Sequence, residues 1–454
     1  MNYQGLINLK RLPFFTGLLI LVFGAEFRVS AQEMVHYKFD FGTDKAKRGW
    51  QAVSENDLFD HEKGYGFEEV QDLESVRRKK GKASKNGFIQ SASPFYFSAN
   101  VPEGNYRVKV TFGDLKGNSG NVVRAESRRM MIDDFDTKDG EVSSREFMVN
   151  VRHPEIQGKA KQVSLKEREK DYLHWDKKLT LEFNGDSPKV CAVEITQVED
   201  AITVFLAGNS TVVDQANEPW AAWGQMFPFF FDSDRVAIAN HAESGESLLA
   251  FKREGRLEKI LSLMKAGDYL FIEFTHNDQK PGGNYLEPFT TYKEELKHYI
   301  QEAKSKGGIP VLVTSMYRRN FDKEGKIVNT LGDYPEAMRQ VAGEENVALI
   351  DLNAMSKVLF EALGPDYSKN AFVHFPAGTF EGQREDFADN THFSTYGAFE
   401  LANCVIEGLK RSNLDLKYYL KAHLSDYSPA KPRRFEDFYW PLSRRISMQK
   451  PDGN

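Results

Sequence analysis

Hydrophobic and polar residues alternate along the first part of the chain, and this alternation stops near residue 200. Alternating rows begin at Val35, Tyr106, Phe147 and Leu179, and clusters of Gly, Asn and Asp separate them. Successive side chains of a β-strand point to opposite faces, so each row predicts a strand with one buried face. Several such strands joined by turns predict a β-sandwich over residues 34–198.

Beyond residue 200 the apolar runs are short and do not alternate. They cover residues 202–207, 236–239, 269–274, 309–314 and 347–350. Helical patterns lie between them, and the clearest covers residues 291–306, where Thr291 and Glu294 have the spacing of a capping box. Buried strands that alternate with helices predict a parallel sheet, and hence an α/β domain over residues 200–425.

The two ends of the chain differ from both predicted domains. Lys10 and Arg11 precede an apolar run at 12–25, and small residues at 29–31 offer a cleavage point. This pattern predicts a signal peptide over residues 1–31 and export to the periplasm or the exterior. Because a bilayer span takes about 20 apolar residues, no stable membrane insertion is expected after cleavage. Residues 426–454, rich in Pro and Arg, are predicted to pack across the surface or to fray.

Charge and cysteine content narrow the choice of partners and of cross-links. The formal net charge is −6, whereas a nucleic-acid-binding protein is expected to carry a concentrated basic face, so no nucleic acid partner is expected. The chain has two cysteines, Cys191 and Cys404, which fall in different predicted domains. Each lies among apolar or small residues, which favours buried thiols over a disulfide.

Polar clusters follow the predicted strands of the second domain. They occupy residues 208–211, 240–247, 275–278 and 389–392. The carboxyl ends of parallel strands meet at one edge of a sheet, where ligands bind. Each cluster taken alone also fits a helix cap or a turn. Together, in one domain, they supply a hydroxyl, hydrogen-bond donors and an acid–imidazole pair.

This set of groups matches the needs of acyl transfer through a serine. Ser210 is the candidate nucleophile, His392 the candidate base, and Asp389 the group that would hold the imidazole and stabilise its protonated form. The tetrahedral oxyanion also needs preorganised donors. The backbone N–H groups of Ser210 and Gly245 and the side-chain amide of Asn277 are the candidates.

The four clusters resemble the Ser, Gly, Asn and His blocks of the SGNH (GDSL-type) hydrolase superfamily, and more closely those of the rhamnogalacturonan acetylesterase family. The resemblance implies a flavodoxin-like three-layer α/β/α domain. It implies a serine esterase that removes acetyl groups from polysaccharide, foremost rhamnogalacturonan or pectin, through an acetyl-serine intermediate and without metal or cofactor. It maps Ser210, Asp389 and His392 onto the family's nucleophile, acid and base, and Ser210, Gly245 and Asn277 onto its oxyanion hole. The first domain resembles galactose-binding-like β-sandwiches, through its opening at residues 37–43.

Two positions depart from the family pattern. Asn209 stands where the family usually has Asp before the nucleophile, which keeps an acceptor and removes a charge. Glu246 stands where the family often has Arg after the glycine of the second block. An Arg there would suit the carboxylate of a uronate and Glu would not, so this position bears directly on the substrate.

Other residues offer competing interpretations of the site. His241, His276 and His374 suggest a metal site, but no set of Asp, Cys and His at ligand spacing accompanies them. His374 is a rival base that lacks a nearby carboxylate in the sequence. The aromatic residues between 220 and 231 fit a sugar platform, although their spacing is more typical of a helix packed in the core.

Two alternative functions and one question of architecture stay open from the sequence. One alternative is an esterase or lipase acting on another acylated sugar or on lipid. The other is a carbohydrate-binding protein of weak or lost catalytic activity. The sandwich is expected to be a separable module that recruits polysaccharide, so that a chain beginning near Glu199 would remain active; the alternative is that it completes the core of the α/β domain.

Overall fold

The structure is a computed structural model that describes residues 34–42, 45, 48–69, 72–78, 87–232 and 234–452. The predicted signal peptide lies outside these residues. In the described part, no helix is long and apolar enough to cross a membrane. The strands of the first half are β1 (His36–Phe41), β2 (Gln51–Val53), β3 (Tyr65–Phe67), β4 (Glu74–Arg77), β5 (Gly87–Gln90), β6 (Phe95–Asn100), β7 (Gly104–Gly113), β8 (Ser119–Ala125), β9 (Arg129–Thr137), β10 (Val142–Val151), β11 (Lys178–Asn184) and β12 (Lys189–Gln197).

These strands form two facing sheets. One has the order β10-β7-β12-β1-β2, with β5 beside β12 and β4 beside β5, and the other has the order β3-β6-β11-β8-β9. The alternating rows found in the sequence become β1, β7, β10 and β11, and their apolar residues fill the space between the sheets. On β7, Tyr106, Val108, Val110 and Phe112 are all fully buried. The predicted β-sandwich is therefore present.

The second half contains a five-stranded parallel sheet. Its strands are β13 (Ile202–Gly208), β14 (Val236–Asn240), β15 (Tyr269–Glu273), β16 (Ile309–Val313) and β17 (Ala348–Ile350). Their order is β14-β13-β15-β16-β17, with parallel pairing throughout. This second-first-third-fourth-fifth order is that of the flavodoxin-like fold, so the fold class implied by the resemblance is confirmed. The sheet and the helices around it are called the α/β domain below.

Helices cover both faces of this sheet with two apolar clusters. The helices are α1 (Trp223–Met226), α2 (Leu248–Arg253), α3 (Arg256–Leu263), α4 (Lys293–Ser305), α5 (Tyr334–Glu345), α6 (Leu352–Tyr367) and α7 (Thr395–Arg411). The predicted capping box is wrong: α4 follows a π-helical turn at Pro288–Tyr292, and the hydroxyl of Thr291 accepts a hydrogen bond from the N–H of Glu287. The local turn competes for the hydroxyl that would have capped the helix.

One element of the α/β domain was not predicted from the sequence. Two antiparallel strands, β18 (Phe372–Phe375) and β19 (Phe387–Phe393), pair directly before α7. The apolar cover over β18 and β19 includes Phe360, whose ring lies 5.0 Å from that of Phe372. The fourth polar cluster therefore lies on a strand, and both Asp389 and His392 belong to β19.

A layer of buried ion pairs joins the sandwich to the α/β domain. Arg129, at the start of β9, places its Nε 2.6 Å from a carboxylate oxygen of Asp214 in the loop after β13. Arg128 places Nη2 2.5 Å from a carboxylate oxygen of Glu218 and donates to the carbonyls of Gln215 and Trp220. All four charged side chains of these two ion pairs are nearly inaccessible to solvent.

These contacts bear on the two architectures considered from the sequence. The described residues from Val35 onward form one compact unit, and Met130 of β9 belongs to the apolar cluster of the α/β domain. Without the sandwich, Asp214 and Glu218 would lose their arginines. The contacts therefore favour the alternative, in which the sandwich completes the core of the α/β domain.

The C-terminal extension packs against both halves instead of fraying. The indole ring of Trp440 stacks on the guanidinium of Arg124 at 3.8 Å, and its N–H donates to Glu218. Ser443 donates its hydroxyl to Glu182 of β11 and its backbone N–H to Glu218. The extension thus adds donors to the buried carboxylates of the same layer.

The two cysteines lie far apart in this architecture. Cys191 is buried on β12 and its thiol donates to the carbonyl of Gly113. Cys404 is buried on α7, 3.8 Å from the hydroxyl of Tyr427. Burial raises the pKa of the Cys404 thiol to about 12, which keeps it protonated and unreactive. The prediction of buried thiols is confirmed.

Replacing Arg129 by Met tests the ion-pair layer. Removal of one partner from a buried pair leaves the other charge uncompensated, so the free energy of unfolding should fall by about 3–5 kcal/mol. Lys109→Met is the matched control, because Lys109 pairs with Glu146 on an exposed strand face and such pairs contribute less than about 1 kcal/mol. Chemical denaturation followed by tryptophan fluorescence measures both. Equal losses in the two variants would contradict a supporting role for the layer.

Candidate active site

Ser210 lies two residues beyond the end of β13, at the edge of the parallel sheet where the order of strands reverses. Strand β13 has β14 on one side and β15 on the other, so the loops after β13 and β15 diverge and leave a crevice between them. Asn277 follows β15 on the other side of this crevice. The sequence-predicted nucleophile and amide donor therefore face the same opening.

The structure brings three of the predicted residues into one hydrogen-bonded row. The Nδ1 atom of His392 lies 2.8 Å from a carboxylate oxygen of Asp389, and Nε2 lies 3.0 Å from the hydroxyl oxygen of Ser210. An ionised carboxylate only accepts, so Nδ1 carries the proton and Nε2 accepts from the Ser210 hydroxyl. Sequence separation gives no hint of the second contact, which joins residues 182 positions apart.

Asp389 is held in its charged form. Burial alone would raise the pKa of this carboxyl, but hydrogen bonds from the His392 ring and from the backbone N–H groups of Thr391 and His392 hold it well below its ordinary value. A carboxylate that stays ionised at neutral pH fixes the tautomer and the orientation of the imidazole. The geometry thus prepares the ring to take a proton from Ser210.

The other two predicted donors also lie at this edge. Gly245 has φ of +85°, a left-handed conformation that residues with a side chain rarely adopt. Asn277 donates one amide hydrogen to the carbonyl of Glu246 at 2.8 Å, which fixes the orientation of the amide and leaves its second hydrogen for another acceptor. The loops after β14 and β15 are thereby tied together.

The loop after Ser210 is fixed by amides and carboxylates on its inner side. The side-chain oxygen of Asn209 accepts from the N–H and the hydroxyl of Thr211, so Asn performs the acceptor role at this position without a charge. Glu273, at the end of β15, accepts from the same hydroxyl. Asn240 donates to the carbonyl of Val212 and to Asp214. The backbone on both sides of the hydroxyl is therefore held by buried partners.

The aromatic stretch after this loop divides between two roles. Trp223, Phe227, Phe230 and Phe231 are buried in the core, as the helical spacing predicts. Trp220 instead stands edge-on to the ring of His392, with centroids 5.9 Å apart. Its carbonyl accepts from Arg128 of the sandwich, so the sandwich also positions a contact of the candidate base.

Glu246, the departure in the second block, faces a partner that the sequence did not reveal. Its carboxylate lies 2.5 Å from the Nζ of Lys166, a residue of the segment between β10 and β11. Burial raises the pKa of Glu246 to about 7, against the lowering effect of Lys166. The neighbouring Arg168 bonds to Glu243 and to the carbonyl of Ser244. In sequence, residues 166–170 form a mixed charge run typical of a solvated surface, so no signal pointed to this site.

The histidines weighed as alternatives have other surroundings. His374 contacts Asn390 at 3.0 Å, while His392 occupies the position beside Ser210. His241 lies between the rings of Trp175 and Phe205, and burial lowers its pKa well below the ordinary value. Burial also lowers the pKa of His276. Both rings are therefore neutral structural groups at physiological pH.

A different trio meets the distance requirement for a metal site. Donor atoms of Glu169, His174 and Glu243 lie within 4.8 Å of one another and all three residues are buried. However, Glu169 is already bound by both terminal nitrogens of Arg256, and Glu243 by Arg168. Two guanidinium groups thus compensate the two carboxylates, which leaves them little net attraction for a metal ion.

Comparison with known proteins gives a family match for each half of the chain. Residues 205–398 match the GDSL-like Lipase/Acylhydrolase family, and residues 37–146 match the Beta-agarase/YXIM esterase-like, galactose-binding domain-like family. Rhamnogalacturonan acetylesterase RhgT of Bacillus subtilis (strain 168) is 47% identical over 221 residues, which are 48% of this chain and 94% of the relative. The chain belongs to the GDSL-like lipase/acylhydrolase family.

Two further relatives of this GDSL hydrolase are, like RhgT, proteins of Bacillus subtilis (strain 168). Uncharacterized esterase YxiM is 27% identical over 409 residues, covering 88% of this chain and 97% of the relative. Probable rhamnogalacturonan acetylesterase YesY is 37% identical over 219 residues, covering 47% of this chain and 94% of the relative. The GDSL hydrolase is thus an ester hydrolase, and acetylesterases are among its relatives.

Replacing Gly245 by Ala tests the left-handed turn beside Ser210. A residue with a Cβ in this conformation costs about 1–2 kcal/mol, and the added carbon would lie 3.1 Å from the Cβ of Asp452. We expect a lower thermal unfolding midpoint. Gly283→Ala is the matched control, since Gly283 has no neighbouring atom within 4 Å of an added Cβ and no positive φ. A Gly245→Ala protein as stable and active as the control would contradict a conformational need for glycine.

Proposed function

We propose that the GDSL hydrolase removes acetyl groups from acetylated polysaccharide, foremost rhamnogalacturonan, through an acetyl-serine intermediate. Ser210 is the nucleophile, His392 the general base and acid, and Asp389 the residue that orients the imidazole. The observation that carries this proposal is the row from Asp389 through His392 to the Ser210 hydroxyl, with contacts of 2.8 and 3.0 Å. Its two hydrogen bonds are those needed to activate a serine.

In the proposed first half-reaction, the Ser210 oxygen attacks the carbonyl carbon of the acetyl ester. The hydroxyl proton passes to Nε2 of His392, and the carbonyl oxygen becomes an oxyanion. The N–H groups of Ser210 and Gly245 and the second amide hydrogen of Asn277 bind that oxyanion. The intermediate then collapses and expels the sugar oxygen, which takes the proton from His392 and leaves as a hydroxyl.

In the second half-reaction, water replaces the sugar. His392 removes a proton from the water as it attacks the acetyl-serine carbonyl, and the same donors bind the second oxyanion. Collapse releases acetate, and the Ser210 oxygen recovers its proton from His392.

The character of the cleft supports a polar substrate over a lipid. A pocket of about 250 Å³ adjoins the site, since its wall includes Gln215, which bonds to the Ser210 carbonyl, and Trp220, which contacts His392. Much of the remaining wall is charged or polar, including Arg168, Asp171 and Arg445. An acyl chain needs an apolar channel, whereas sugar hydroxyls need such donors and acceptors. The names of the relatives RhgT and YesY support the choice of rhamnogalacturonan.

Acetate release from a panel of polymers tests the proposed substrate. We expect the full chain to act faster on acetylated rhamnogalacturonan than on acetylated xylan or acetylated sialic acids. Ser210→Ala is the matched control and should lower kcat by about 10⁴-fold or more without changing the unfolding midpoint. An active, well-folded Ser210→Ala protein would overturn the mechanism. A preference for xylan would overturn the substrate alone.

Asn277→Ala tests the oxyanion donors. Since the amide binds negative charge that develops only in the transition state, kcat should fall by roughly 10²–10³-fold with a smaller change in KM. Initial-rate kinetics on a small aryl acetate separate the two parameters. A raised KM with kcat preserved would assign Asn277 to substrate positioning.

A further inference from the structure

The end of the described chain lies across the candidate active site. The Nζ of Lys450 is 3.2 Å from a carboxylate oxygen of Asp389. Two residues later, the Cβ of Asp452 lies 3.1 Å from the position that a Cβ atom added to Gly245 would occupy. The segment 449–452 also forms one wall of the pocket beside Ser210. It therefore runs from the acid of the triad to the proposed oxyanion donor.

The carboxylate of Asp452 rests on a cation supplied by the sandwich side of the molecule. Its oxygen is bonded by Nη1 of Arg168, a residue of the short helical turn Glu167–Asp171. The side chain of Asp452 is half-exposed at 53%, so this carboxylate sits at the mouth of the pocket. A negatively charged group of the protein itself thus occupies the place beside Arg168.

The other terminal nitrogen of Arg168 is already committed. Nη2 lies 2.6 Å from the buried carboxylate of Glu243 and 3.0 Å from the carbonyl of Ser244. These contacts fix the plane of the guanidinium and direct Nη1 toward the pocket. A cation that is held in place before binding loses little side-chain entropy when it pairs with an anion.

We propose that Arg168 forms a subsite for the carboxylate of a hexuronate unit of the substrate, and that Asp452 occupies this subsite when no substrate is bound. The proposal rests on the proposed function, since it assigns the chemical class of a sugar unit of the same substrate. The acetyl carbonyl would lie at Ser210 and the uronate carboxylate at Nη1 of Arg168. Residues 449–452 would be displaced as the polymer enters.

This subsite would supply the positive charge that is missing at Glu246, where the family often has Arg. An anionic residue in the second block would repel a uronate, but Glu246 is buried and paired with Lys166, so it presents no bare carboxylate to the cleft. Arg168 then places a positive group over the carbonyl of Ser244, one residue before Gly245. The positive charge missing from the second block is thereby supplied by residues 166 and 168 of another part of the chain.

Inhibition of aryl acetate hydrolysis by free galacturonate measures the subsite without polymer. In the full chain, Asp452→Asn removes the competing charge, so the inhibition constant for galacturonate should fall about 5-fold or more. Arg168→Gln should raise it by about 10- to 100-fold, because a charge-assisted hydrogen bond is lost. Galactose, which lacks the carboxylate, should show no dependence on either residue. Lys170→Gln is the matched control, since Lys170 pairs only with the exposed Glu167 among the described ion pairs.

The outcomes separate the subsite from the proposed function. An inhibition constant for galacturonate that is unchanged in Asp452→Asn would overturn the subsite. This variant alters only a half-exposed side chain, so it decides the question even if Arg168→Gln does not fold. Loss of galacturonate inhibition in a folded Arg168→Gln protein would support it. A protein that shows this dependence but releases no acetate from rhamnogalacturonan would keep the subsite and refute the polymer. An Arg168→Gln protein that deacetylates rhamnogalacturonan as well as the unsubstituted chain does would refute the subsite and keep the polymer.

Discussion

Arg128 and Arg129 carry the charges on which the arrangement of the catalytic loop depends. A carboxylate removed from water costs several kcal/mol unless a partner compensates it, and Asp214 and Glu218 are both almost fully buried. The arginines supply that compensation from the turn between β8 and β9, where Arg128 has φ of +61°. A non-glycine residue in that conformation stores strain of about 1–3 kcal/mol, which the surrounding contacts must offset.

The same layer reaches the chemistry through one loop. Ser210 begins it and Trp220, whose ring touches His392, lies near its end. Val212 and Asp214 lie between these two residues, and Asn240 of β14 donates hydrogen bonds to both. Asp214 is in turn the partner of Arg129. A rigid hydroxyl is an advantage in acyl transfer, since small displacements of a reacting group lower the rate strongly. The sandwich thus belongs to the framework of the active site, although every residue of the proposed triad lies outside it.

The parts of this structure that sequence could predict are those with a local signal. Alternation marks β1 and β7, and short apolar runs mark β13 to β17, because periodicity follows directly from strand geometry. Ser210 and His392 were recognisable through the motifs around them. Lys166 and Arg168 were not recognisable, because a mixed charge run has the same sequence pattern whether its side chains face water or pair with distant carboxylates. The capping box at Thr291 failed for a similar reason: the hydroxyl found a nearer partner in the backbone of Glu287.

The contacts of the C-terminal extension affect how the protein is made. Trp440 and Ser443 complete the hydrogen bonds of Glu218 and Glu182, which belong to segments synthesised more than 200 residues earlier. A growing chain emerges from its N-terminus, and its domains begin to fold as they appear. The buried carboxylates can reach their final arrangement only after residue 443 has left the ribosome. Completion of the buried layer therefore waits until Trp440 and Ser443 have emerged, so a product terminated before them would lack the finished interior.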